Sequence, residues 1–217
     1  MKRCCLVLVA LAACGDDGNH TVDGSPLQVM GEYVDWDSTD TGFFCGIFGA
    51  TFTVHGDATQ TNMTNPNGRF TLTIHDARTQ VDITPPTAQS ECSNPKSTYN
   101  VPGIMIIDEQ VASAGAVISA RSFTVDRAPM FNYDSTKAQV LVHVDGTPGA
   151  VSIDAAHDAT QAFDGTTWAA GDTGVNVYFP NVDPASGSTK VSMSGATGTG
   201  SVPLAAGTFT YLTIHGQ

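Results

Sequence analysis

From residue 27 onward, apolar and polar positions alternate with a period of two along most of the chain. Turn-forming residues break the alternation about every ten positions, the rhythm of short antiparallel strands. The pattern predicts strands over 27–34, 47–55, 59–64, 69–75, 80–84 and 103–107. The segment 59–64 is polar and Thr-rich, as an edge strand would be. In 69–75, Phe70, Leu72 and Ile74 share one face, and Asn67-Gly68 just before them readily takes the positive φ of a hairpin turn. The run 103–107 (GIMII) is apolar throughout and suits a strand buried on both faces. Between 109 and 133 the pattern blurs. Alanines favour helix there, but Gly115 and Pro129 interrupt it, so a strand or loop over 116–123 and a short helix over 125–131 are expected.

A second set of strands follows the turn at 134–137. Residues 139–145 and 150–155 flank Gly146-Thr147-Pro148-Gly149 and read as a hairpin; 174–179, 189–194, 201–204 and 208–215 complete the set. The expected fold class is all-β, with two antiparallel β-sandwich domains over 27–133 and 138–217. No segment in either half carries the roughly 20 apolar residues that a membrane helix needs.

The first residues follow a different logic. Lys2 and Arg3 precede an apolar run from Leu6 to Ala13, too short to span a bilayer but suited to a secretory signal. It closes on Leu11-Ala12-Ala13-Cys14, which resembles the lipobox of bacterial lipoproteins. The resemblance implies a signal peptide over 1–13, cleavage before Cys14 and lipidation of that cysteine with more than one acyl chain, enough for firm anchoring. Residues 14–26 are then the lipidated N-terminus and a Gly-rich, acidic tether with a reach of roughly 20 Å. The expected address is the cell envelope, lipid-anchored, in the outer membrane of a Gram-negative bacterium.

A second resemblance lies in Gly49-Ala50-Thr51-Phe52-Thr53-Val54, the Thr-rich 61–64 and Asn67-Gly68-Arg69-Phe70-Thr71-Leu72. This succession is similar to the carboxypeptidase regulatory-like modules, over about residues 28–84. It implies a prealbumin-like sandwich that serves a structural or adhesive role and supplies no catalytic residue.

Charge narrows the partners. Nine Lys and Arg stand against 21 Asp and Glu in 217 residues, a formal net charge of −12. That argues against a nucleic-acid partner, which needs clustered cations, and cleavage before Cys14 would remove two of the nine. An anionic lipid surface would repel such a body, so the lipid must supply the membrane contact. Cysteine usage agrees with export: Cys4 and Cys5 lie in the signal and Cys14 takes the lipid. Cys45 and Cys92 remain as an even pair, expected to form a disulfide in an oxidising compartment, with two buried thiols as the alternative.

Candidate chemistry is sparse. If 50–55, 58–64 and 69–75 formed one meander, His55, Asp57, His75 and Asp76 would meet at one sheet edge as a possible metal set. Exposed polar strand ends are the plainer reading. Asp35, Asp37 and Asp40 cluster in a loop that misses the spacing of a calcium loop, and a solvated acidic loop is expected. Trp36, Trp168, Tyr178 and Tyr211 could make a sugar platform or simply core packing. No nucleophile elbow, P-loop or dinucleotide fingerprint occurs. The expected function is therefore non-catalytic, with no cofactor: a structural, adhesive or ligand-recognition role at the envelope, attached to the membrane by its N-terminal lipid, its protein or glycan partner open. The alternatives are a metal-dependent hydrolase or dioxygenase on a sandwich scaffold, or a carbohydrate-binding module.

Overall fold

A computed structural model describes residues 26–39, 42–92 and 96–217. The signal, Cys14, the tether and Asp40 lie outside the described residues. Sixteen strands dominate the rest. The first seven are β1 (Leu27–Asp35), β2 (Thr51–Val54), β3 (Thr61–Met63), β4 (Arg69–Ile74), β5 (Arg78–Thr84), β6 (Gly103–Asp108) and β7 (Ile118–Ser122). A one-turn helix, α1 (Glu109–Ser113), sits between β6 and β7, capped by the Asp108 carboxylate on the Gln110 N–H. A 3-10 turn over Val125–Phe131 leads into the second half. There follow β8 (Ala138–Gly146), β9 (Val151–Ile153), β10 (Gln161–Phe163), β11 (Trp168–Ala170), β12 (Asn176–Val182), β13 (Ser188–Met193), β14 (Ala196–Thr197), β15 (Gly200–Pro203) and β16 (Phe209–Gly216).

The all-β class holds, but the strands do not divide into two sandwiches at 134–137. One large sheet runs through both halves in the order β11-β10-β12-β8-β16-β6-β5-β2-β3, with β14 paired to β16. Its middle is the C-terminal strand, which lies parallel to β8 on one side and to β6 on the other. A small sheet, β4-β1-β7, provides strands against one core of the large sheet, and β15-β13-β9 provides strands against the other. The two expected sandwiches are thus two cores built on one shared sheet.

Alternation along the central strands explains the two cores. On β16, Phe209 and Tyr211 enter the first core while Leu212 and Ile214 enter the second. On β6, Met105 and Ile107 divide from Ile106 in the same way, and on β12 Tyr178 divides from Val177 and Phe179. A strand covered on both faces reads as a continuous apolar run, which is what 103–107 displays.

Two local expectations are overturned. β8 and β9 do not form a hairpin: both edges of β8 are occupied, by β12 and β16, while β9 pairs with β13 in the outer sheet. The intervening turn carries the chain from one layer to the next. It begins at Gly146, whose φ of 82° suits glycine and whose place opposite Gly216 leaves no room for a side chain. Nor do β2, β3 and β4 make a meander. β2 and β3 pair at one edge of the large sheet, but β4 crosses to the facing sheet and pairs with β1. Gly68 permits that crossing: its φ is 71°, and a Cβ there would lie 2.2 Å from the Tyr33 carbonyl oxygen.

Candidate functional site

The end of β1 at Asp35 lies roughly 25–30 Å along the strand from Leu27. Here the chain turns back and is fastened several times. Asp35 N–H donates to the Cys45 carbonyl and Ile47 N–H to the Tyr33 carbonyl, each at 2.8 Å. Cys45 and Cys92 form the expected disulfide, with Cα atoms 6.0 Å apart. By the chain-entropy model, closing this loop of 47 residues restricts the unfolded chain by about 4 kcal/mol.

Asp35 is not in a solvated loop. Its carboxylate is 1% exposed. One oxygen accepts from Arg127 Nη1 at 2.9 Å and the other from the Tyr99 hydroxyl at 2.6 Å. Arg127 also pairs with Asp37. Tyr99 meets the Ser90 hydroxyl at 2.8 Å, and Ser90 Oγ accepts from Cys92 N–H, so the network reaches the disulfide. Burial first, and the Asp35 charge second, push the Tyr99 hydroxyl well above its ordinary value and keep it a donor.

Beside this network the surface is apolar. Phe43, Phe44 and Phe48 are each about half exposed, on a segment held by the disulfide and by backbone bonds rather than by its own burial. The other aromatic candidates are core, not platform. Trp36, Tyr178 and Tyr211 are buried, and Trp36 stacks on the half-buried Trp168 with ring centroids 4.5 Å apart. That stack joins the two halves of the chain. Arg121 reinforces it: its guanidinium donates to the carbonyls of Trp36 and Ser38 and lies 4.5 Å above the Phe163 ring.

The residues of the expected metal set do not gather as ligands. His55 Nδ1 lies 2.8 Å from the Asp82 carboxylate, while His75 and Asp76 follow β4 in the facing sheet. Asp57 turns its carboxylate on Thr59, whose hydrogen bonds are the main reason its pKa is lowered; the charge of His75 adds only a smaller effect. Among the described residues no three His, Cys, Asp or Glu side chains gather as metal ligands. β4 and β2 lie in different sheets, so the four residues do not share the single sheet edge that a meander would have given them.

His215 and Asp145 pair across neighbouring parallel strands at 2.8 Å. On the same face, His143 Nδ1 meets Asn176 Oδ1 at 3.2 Å. Loss of water around the ring lowers the His143 pKa; Asn176 opposes this, and the charge of nearby Arg121 adds to the lowering. A folded-state pKa below the unfolded value of 6.5 means that the unfolded chain takes up the proton first. Stability from this group is complete above that pH and is lost as pH falls below it. Urea unfolding between pH 7.5 and 5 is expected to show a decline that is shallower in His143→Gln; an identical decline in both proteins would refute the assignment.

A polar cleft of about 620 Å³ opens between the end of the 3-10 turn, the 156–158 loop and β12. Asn132 and Asn181 stand on its wall with φ near 53° and 52°. Each has a local reason. Asn132 ends the 3-10 turn, and Asn181 sits where the β12–β8 register shifts between Phe179 and Val182. Both side-chain amides donate to the same Asp158 oxygen, at 3.3 and 2.8 Å. Sequence reading did not find this cleft. Its only sequence signal is asparagine, a residue that tolerates the left-handed conformation.

No protein-family model matches the chain, and no curated protein matches it. Among solved structures, the Bacillus anthracis TIE protein is similar at 10% identity, covering 87% of this chain and 34% of that one, with a TM-score of 0.24. The chain thus spans about a third of that protein's length.

Proposed function

We propose that this chain is a lipid-anchored protein of the bacterial envelope, held at the outer membrane by Cys14, with a structural, adhesive or ligand-recognition role and no catalysis of its own. The observation that carries the reading is the Cys45–Cys92 bridge, taken with the resemblance of residues 1–14 to a signal and lipobox. A disulfide belongs to an oxidising compartment, and the lipobox supplies the route there. The acidic composition supports attachment by lipid rather than by surface charge. The likeness to carboxypeptidase regulatory-like modules finds support in β2 and β4 lying in facing sheets, with Phe70 and Leu72 turned into the core.

Metabolic labelling with an alkyne analogue of palmitate tests the anchor. The protein is expected to carry the label and to fractionate with membranes. Cys14→Ala is expected to lose both, and an unchanged label in that variant would sink the reading.

A further inference from the structure

We infer that the cleft around Asp158 is a binding site for a neutral or amino-bearing saccharide. Among the described residues, Asn132 and Asn181 are the two non-glycine positions at positive φ. Both border one cleft and aim their amides at one carboxylate. The surroundings hold both side chains in place. Asn181 Oδ1 accepts from the Gln139 amide at 3.1 Å and from Asp134 N–H at 3.0 Å. Gln139 Oε1 in turn accepts from the Tyr178 hydroxyl at 2.6 Å, and Gln139 and Tyr178 are both fully buried. The wall of the cleft is therefore rooted in the core and set before any ligand arrives.

The groups left facing the cleft fit sugar chemistry. A saccharide hydroxyl both donates and accepts, so its site needs both kinds of partner. The second oxygen of Asp158 can accept from a hydroxyl or an ammonium; the Lys137 ammonium, 3.8 Å from Asp183, has N–H groups left to donate, and the His157 ring, whose Nδ1 lies 2.6 Å from the Asp158 carbonyl oxygen, has Nε2. The half-buried Tyr133, whose hydroxyl donates to the Gly207 carbonyl and whose ring packs edge-on to Phe123, borders the same cleft. A volume of about 620 Å³ suits a small ligand of one or two rings. Charge sets the class further. Asp134, Asp158 and Asp183 border the cleft against the single cation of Lys137, on a chain of net charge −12. Uronic acids, sialic acids and phosphorylated sugars are repelled; neutral hexoses and hexosamines are not.

This inference rests on the recognition part of the proposed role and not on the lipid, so the two can fail separately. The full chain, purified in detergent, is applied to an array of neutral, amino-bearing and acidic saccharides, and the strongest probe is then titrated by calorimetry. Retention of neutral or amino-bearing saccharides is expected. Asp158→Asn keeps an acceptor for the Asn181 amide, so the fold persists, and binding is expected to weaken about tenfold with loss of the charged acceptor. Lys137→Met, which leaves the asparagine brace intact, is expected to weaken it several-fold. Asp76→Asn, remote from the cleft, should leave it unchanged. No retention at millimolar probe, a preference for acidic saccharides, or parental affinity in Asp158→Asn would each overturn the proposal.

Discussion

Replacing Arg127 with methionine is expected to lower the unfolding free energy by about 3–5 kcal/mol, the cost of leaving a buried charge without its partner. Asp35 is almost inaccessible to water, and the Arg127 guanidinium is bonded to it at 2.9 Å. Tyr99 would still donate one hydrogen bond, but a neutral hydroxyl cannot replace the opposite charge. The effect should pass through the Coulombic pairing and not the volume of the side chain. Adding Asp35→Asn to Arg127→Met removes the stranded charge while keeping an acceptor for Tyr99, and should restore much of the loss. Urea unfolding of the two single variants and the double variant forms the required cycle. A loss below about 1 kcal/mol in Arg127→Met would place the pair among ordinary surface ion pairs.

The sequence disclosed this pair only as separate residues. Asp35 and Arg127 stand 92 positions apart, and no local pattern links them. The strands themselves were legible wherever burial follows a strict period. β4 shows Phe70, Leu72 and Ile74 on one face, and β6 shows an unbroken apolar run. A period of two tells which way each side chain points and says nothing of which strand lies alongside. That is why the 27–133 and 138–217 halves read as separate sandwiches although β16 lies between β6 and β8. Short elements were lost for another reason. α1 has five residues, followed closely by Gly115, and β10 and β11 have three each, beside Gly165 and Gly171. Such segments have too few positions to display a period. The cleft was invisible because Asn132, Asp158 and Asn181 are spread over 49 positions and meet only through the fold.

The second large effect concerns β16. Truncation before Phe209 removes Phe209, Tyr211, Leu212 and Ile214, all buried and divided between the two cores. At about 1.5–3 kcal/mol for each large apolar side chain, the loss is about 6–12 kcal/mol before any sheet hydrogen bond is counted. Domains of this kind are stable by only about 5–15 kcal/mol. The truncated chain is therefore expected to lose both cores together, because β8 and β6 each lose a pairing edge. The Trp36–Trp168 stack, with Trp36 buried, should disperse with them, seen as a red shift of tryptophan emission.

The claim that most needs testing is that one sheet unites the two halves. Amide hydrogen exchange through a urea titration, read by mass spectrometry on peptides from β1, β4 and β7 and separately from β9, β13 and β15, addresses it directly. A shared sheet requires both sets to lose protection at the same urea concentration, and both to be unprotected without urea in the chain truncated before Phe209. Protection persisting in one set after the other has unfolded, or surviving the truncation, would contradict the shared sheet and restore two independent sandwiches.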